Sequence, residues 1–203
     1  ASATLRSRSD EVTTETLAPL QSATKEIAGV SSGYARITSS RTPVAASARS
    51  IREDGSDRVY GTSLPVVPAS HAAALGDSRR FTGVEDASDE SRTAGVPATF
   101  RTNVLLIETS GQTVRVRLTL HYIFSTSALA TSEGVSSAEF DIGAGQLLRI
   151  ENVGRAIIGS QRDSFGDLRN MTLDVEVIDG AGRVLPFLHA IDNGSGGSLV
   201  RRE

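Results

Sequence analysis

The chain has no cysteine and no tryptophan, a single methionine, and an aromatic content of only 4% over 203 residues. Without cysteine, neither a disulfide framework nor a thiolate metal site can form, and thiol chemistry carries no information about compartment. Without tryptophan, and with Tyr34, Tyr60 and Tyr122 as the only tyrosines, the aromatic platform on which carbohydrate-binding sandwiches usually stack a sugar ring is missing. No apolar run approaches the length of a membrane span. Excess positive charge is absent as well: 21 basic residues face 24 acidic ones, a formal net charge of −3. A protein that binds nucleic acid electrostatically needs a basic stripe to displace phosphate counterions, so the charge balance argues against that class. Lysine is nearly missing, with Lys25 the only one.

What remains is an aliphatic chain. Hydrophobic residues make up 38%, and with so few rings the core must be built from Val, Ile, Leu and Ala, which suits sheets packed face to face. A chain this long can bury such a core without covalent staples, as one large all-β domain or two small ones. It starts Ala1-Ser2-Ala3 with no Met, the start expected of a chain whose signal peptide has been removed, and secretion is the expectation drawn from it.

The alternation of apolar and polar residues sets the organisation. Residues 1–16 are Ser, Thr and charge, with Leu5 and Val12 the only sizeable apolar side chains; they read as a polar arm, ordered only if it pairs onto a sheet edge. Residues 17–61 read as a partial β unit: Ala35 and Ile37 alternate with Arg36 and Thr38, a polar turn follows, then Val44 to Ile51 and the turn at Glu53 to Asp57. Between 62 and 99 the periodicity disappears. Pro65 and Pro68 hold their neighbours extended, Ser70 is placed to cap one helical turn, and the remainder is acidic and rich in small residues, so this segment reads as a connector.

Residues 100–203 carry the strongest pattern. Val114, Val116, Leu118, Leu120, Tyr122 and Phe124 alternate against Arg115, Arg117, Thr119, His121 and Ile123, the mark of an antiparallel strand with one buried and one wet face. Phe100 to Ile107 is expected to pair with it through the turn Thr109 to Gln112. Met171, Leu173, Val175 and Val177 alternate again before the turn at Gly180 and Gly182. The fold expected is an all-β antiparallel sandwich, one complete unit at 100–203 preceded by a partial N-terminal copy. The copy is read from recurrence: Leu17, Pro19 and Gln21 fall where Ile142, Ala144 and Gln146 fall later. The Ser39 to Thr42 turn falls where Gly180 to Arg183 does, and Arg49 to Ile51 where His189 to Ile191 does.

Three stretches carry a resemblance: Phe100-Arg101-Thr102-Asn103, the Ala144-Gly145-Gln146 turn, and Ala190-Ile191-Asp192-Asn193 with the glycines after it. With their flanks they cover about half the chain, and they resemble a repeated β-sandwich domain of large secreted proteins from acidobacteria and similar soil bacteria. The resemblance implies an extracellular location and a display or structural role, and carries over no catalytic residue.

The remaining motifs point weakly to chemistry. Gly29-Val30-Ser31-Ser32-Gly33 has the spacing of a hydrolase nucleophile elbow, but an elbow needs a strand before the serine and a helix after it, and Tyr34 to Thr38 reads as a strand. His71, His121 and His189 lack the close spacing of a zinc-binding helix. Glu85, Asp86, Asp89 and Glu90 form one acidic run and Asp54 with Asp57 another. Neither has the order of a calcium loop, and Asp192 to Ser195 reads as a turn that tolerates left-handed backbone. No catalytic, cofactor-binding or metal-binding residue is therefore expected. The function expected is a secreted, non-enzymatic structural protein whose partners are other copies of itself, in a filament, stalk or surface layer, by strand exchange. The alternative is a monomeric extracellular adhesion module that binds cell-surface glycan through polar loops.

Overall fold

The computed structural model describes residues 2–7, 12–16, 33–38, 48–53, 59–86, 100–127, 130–192 and 198–202. It separates two compact units, Ala1–Ala46 and Ser47–Glu203. The first holds β1 (Ser2–Ser7), β2 (Val12–Thr16) and β3 (Gly33–Thr38) in an antiparallel sheet of order β2-β1-β3. The residues expected as a polar arm thus contain two paired strands, β1 lying between β2 and β3.

The second unit begins with the hairpin β4 (Ala48–Glu53) and β5 (Val59–Leu64). An eight-stranded antiparallel sheet follows, which does not close into a barrel. Its strands are β6 (Ser78–Asp86), β7 (Phe100–Glu108), β8 (Val114–Ser127), β9 (Ala130–Ile142), β10 (Leu147–Ile150), β11 (Leu168–Gly180), β12 (Val184–Asp192) and β13 (Ser198–Arg201). The order is β13-β12-β7-β6-β11-β8-β9, with β10 also on β7. A short helix α1 (Val153–Ile158) and a 3-10 stretch at Gly159–Ser164 join β10 to β11.

Alternation in β8 and β11 behaves as its chemistry requires. Val114, Val116, Leu118 and Leu120 are at most 2% exposed, as are Met171, Leu173, Val175 and Val177. Each such side chain contributes roughly 1.5–3 kcal/mol by leaving water. The same core takes Val104 and Leu106 from β7, Phe81 and Val84 from β6, Ile142 from β9, and Val153 and Ile157 from α1.

One expected pairing is corrected. β7 does not form a hairpin with β8: it pairs with β12 along its whole length, with β10 at Val104 to Ile107, and with β6 at the single bridge Arg101 to Asp86. β8 pairs instead with β11 and β9. The turn after Glu108 is therefore an arch. The buried carboxylate of Glu108 holds this arch from within by accepting hydrogen bonds from Ser110 and Gly111.

β6 lies in the segment read as a patternless connector. Gly83 takes φ +66°, and the register against β11 shifts on both sides of Met171. This bulge puts Phe81 and Val84 on the same face with two residues between them, so period-2 alternation fails although the strand is real.

Candidate functional site

The motif residues do not assemble into one site. Gly29 to Ser32, Asp54, Asp57, Asp89, Glu90 and Asn193 to Ser195 lie outside the described residues, while Gly33 begins β3. His71 is exposed at the end of a 3-10 turn. His189 is half-buried on β12, and burial, reinforced by the charges of Arg149 and Arg101, holds its imidazole below the usual histidine range.

His121 stands on the wet face of β8 with Nε2 3.1 Å from Asp174 Oδ2. Arg80 donates to both oxygens of Asp174, at 2.6 and 2.7 Å. The Arg80 hydrogen bond, opposed by partial burial and aided by His121, keeps this carboxyl below the usual aspartate range. The carboxylate orients the imidazole, as in a catalytic dyad, but the pair sits on an open sheet face. Among the described residues no hydroxyl hydrogen-bonds to His121, and no three His, Asp or Glu side chains converge as metal ligands. Three further ion pairs continue the row: Arg117 with Glu139 and with Glu176, and Arg115 with Asp141. The wet face of β6-β11-β8-β9 is a ladder of alternating charge.

Two buried carboxylates organise the loops. Asp86, placed by its sequence in an acidic run, is 2% exposed and bound by the equally buried Arg162, whose Nε lies 2.6 Å from Oδ2. Arg162 also donates to the carbonyls of Asp86 and Gly166. Burial pushes the Asp86 carboxyl up against the pull of Arg162. Glu108 accepts from Ser110 N and Oγ (2.7 and 2.5 Å), Gly111 N (2.7 Å), Gly145 N (2.8 Å) and Arg183 N (3.2 Å). Burial alone would raise this carboxyl, but the hydrogen bonds win and hold it at about 2. Glu108 spends its carboxylate on the fold through these five bonds, and Asp86 is closed off from solvent beside Arg162.

The three resemblance motifs meet around β7. Arg101 and Thr102 pair with Ile191 and Ala190 of β12. Gln146 O accepts from Glu108 N, and Asn103 Oδ1 accepts from Asn152 N. Their role in this structure is to hold β7, β10 and β12 together.

The feature with the clearest capacity to bind is the outer edge of β9. This strand pairs with β8 from Ala130 to Ile142, and among the described residues no strand lies on its other side. The β8–β9 hairpin also overhangs the sheet, because β11 pairs with β8 no further than His121. Inside the overhang Tyr122, Phe124 and Phe165 pack with centroids 4.4–5.9 Å apart, and Tyr122 hydrogen-bonds Ser136. The Tyr122 ring lies over Gly134, where an added Cβ would come within 2.4 Å of it. On the outer surface Ile123 and Val135 are 59% and 63% exposed. Sequence reading finds the strand but not its place at the edge, since alternation reports faces and not neighbours.

Comparison with family models, with curated proteins and with solved structures finds no match.

Proposed function

We propose that this chain is a secreted, non-enzymatic structural protein that assembles with copies of itself into an extracellular filament, stalk or surface layer. The observation that carries the reading is the edge of β9. Natural sheets protect their edges with short strands, bulges, proline, lysine or inward-pointing charge. β9 is 13 residues long, contains no Pro, Lys or Arg, and has Ser132, Gly134, Ser136, Ala138 and Phe140 on its inner positions. Two of its three acids, Glu139 and Asp141, are neutralised by Arg117 and Arg115. The charge ladder keeps the neighbouring face wetted, which leaves the edge as the surface that gains most by pairing.

The sheet is read further as a sandwich. Among the described residues the backbone ladders of β13-β12-β7-β10 and β6-β11-β8-β9 meet at one bridge, Asp86 with Arg101, beside which the Thr102 hydroxyl bonds the backbone of Glu85. The six-residue α1 packs against β6, β7, β8 and β9 together. Strands lie about 4.8 Å apart in a sheet, so contacts of so short a helix with both β7 and β9 support a sheet folded over it. The partial copy is supported by the pairing pattern: β4 and β5 form a hairpin after β3, as β12 and β13 do after β11. In exchange between chains, β1, carrying β2 on its other edge, would remake on a neighbour's β3 the pairing it makes on its own.

Sedimentation and negative-stain imaging of the native protein test the reading. Regular polymers are expected. A monodisperse 21.3 kDa species at every concentration overturns it, and deletion of residues 1–16 should abolish polymer if the arm is exchanged while leaving the β6–β13 sheet folded.

A further inference from the structure

We infer that β9 pairs antiparallel with β9 of a second copy of this chain, about a two-fold axis through Val135 and normal to the sheet. The inference rests on the assembly reading and adds to it which surface meets which, and in what register.

Antiparallel pairing of a strand with its own copy joins residues whose numbers share a constant sum. Centring on Val135 sets Val135 against Val135, Glu133 against Ser137, Thr131 against Glu139, Gly134 against Ser136 and Ser132 against Ala138. No acid meets an acid. Moving the centre one residue to Ser136 sets Glu133 against Glu139, and moving it to Ser137 sets Glu133 against Asp141, both repulsive directly across a strand pair. Centring on Gly134 sets Glu133 against Val135 and leaves no apolar pair on the outer face. Charge and burial thus select one register.

The same register buries the exposed apolar surface. Val135 is 63% exposed and Ile123 59%; in the ladder Ile123 faces Glu133 and His121 faces Val135, so Ile123 lies diagonal to Val135 on the outer face. Across the axis, two valines flanked by two isoleucines form one apolar strip over four strands. Small inner side chains at Ser132, Gly134, Ser136 and Ala138 put no bulk between the backbones. The charged rows continue on either side, with Glu139 and Asp141 already held by their arginines. A two-fold contact of this kind closes on itself. It makes a pair, and growth into a polymer then proceeds through a second surface elsewhere on the chain.

Because the chain has no cysteine, single thiols report the register directly. Val135→Cys, Glu133→Cys and Ser137→Cys are each treated with a short thiol-reactive crosslinker, alone and as a mixture of the last two, with sedimentation in parallel and circular dichroism to confirm folding. Val135→Cys should crosslink to itself, Glu133→Cys only to Ser137→Cys, and Val135→Lys should shift the paired species from two chains to one of 21.3 kDa. Assembly that persists with no crosslink at 135, or crosslinking equal at all positions, overturns the β9 pairing and spares the assembly reading. A single 21.3 kDa chain at all concentrations overturns both.

Discussion

Glu108 shows how much of this fold is held by single residues. Its carboxylate ties together the β7–β8 arch, the turn at Gly145 and the backbone of Arg183. Its folded value, about 2, lies below the ordinary 4.5, so the stabilisation is complete above about pH 5 and disappears as pH falls from there through 2. The pH-dependent part amounts to about 3 kcal/mol. Urea unfolding followed against pH should show that acid slope in the native chain and a flatter one in Glu108→Gln. The variant should also be less stable at neutral pH by about 2 kcal/mol, since it leaves buried N–H donors short of an acceptor. Arg162 is the second such residue. Arg162→Met should cost about 3 to 5 kcal/mol by leaving Asp86 charged and unpaired in the core, and pairing it with Asp86→Leu should recover much of the loss in thermal melts.

At the level of elements, legibility followed the regularity of burial. β8 and the Met171 to Val177 stretch of β11 could be read residue by residue because every second side chain there enters the core and nothing interrupts the period. β6 could not, because the bulge at Gly83 breaks the count. α1 is six residues long, too short for a helical stripe to stand out, and its Val153 and Ile157 read equally well as loop. Pairing was the least legible level: the turn residues after Glu108 are those of a hairpin, and only the buried carboxylate reveals the arch. The candidate edge shares that fate, since which strand is last in a sheet depends on long-range order. One contact in it is testable alone. Gly134→Val would drive a branched side chain into the Tyr122 ring, so it should lower stability by about 1 to 3 kcal/mol and loosen the aromatic cluster. Near-ultraviolet circular dichroism would record the loss of fixed ring packing.

At the level of the whole molecule, assembly and stability are linked. A chain that pairs through β9 in its folded form alone gains stability by mass action, so its melting temperature should rise with protein concentration. That rise should vanish in Val135→Lys, while a melting temperature independent of concentration in the native chain would argue against any folded-state association.

The strand order has one more consequence, and it concerns time. β7 finds its main partner in β12, where Phe100 meets Asp192, and β6 finds its partner in β11, where Arg80 meets Asp174. The strands made early therefore wait for strands made much later. Such non-local pairing folds slowly, because loop closure must precede the contacts that reward it. A chain emerging from the ribosome would stay open and threadable until β11 and β12 had been synthesised, then close as one event. In a fragment ending at residue 167, β6 to β9 should accordingly show no cooperative melt and no protected amides in hydrogen exchange, although the fragment contains all four strands entire. If it folds, the late strands are ornament and the nucleus lies in the β8–β9 hairpin.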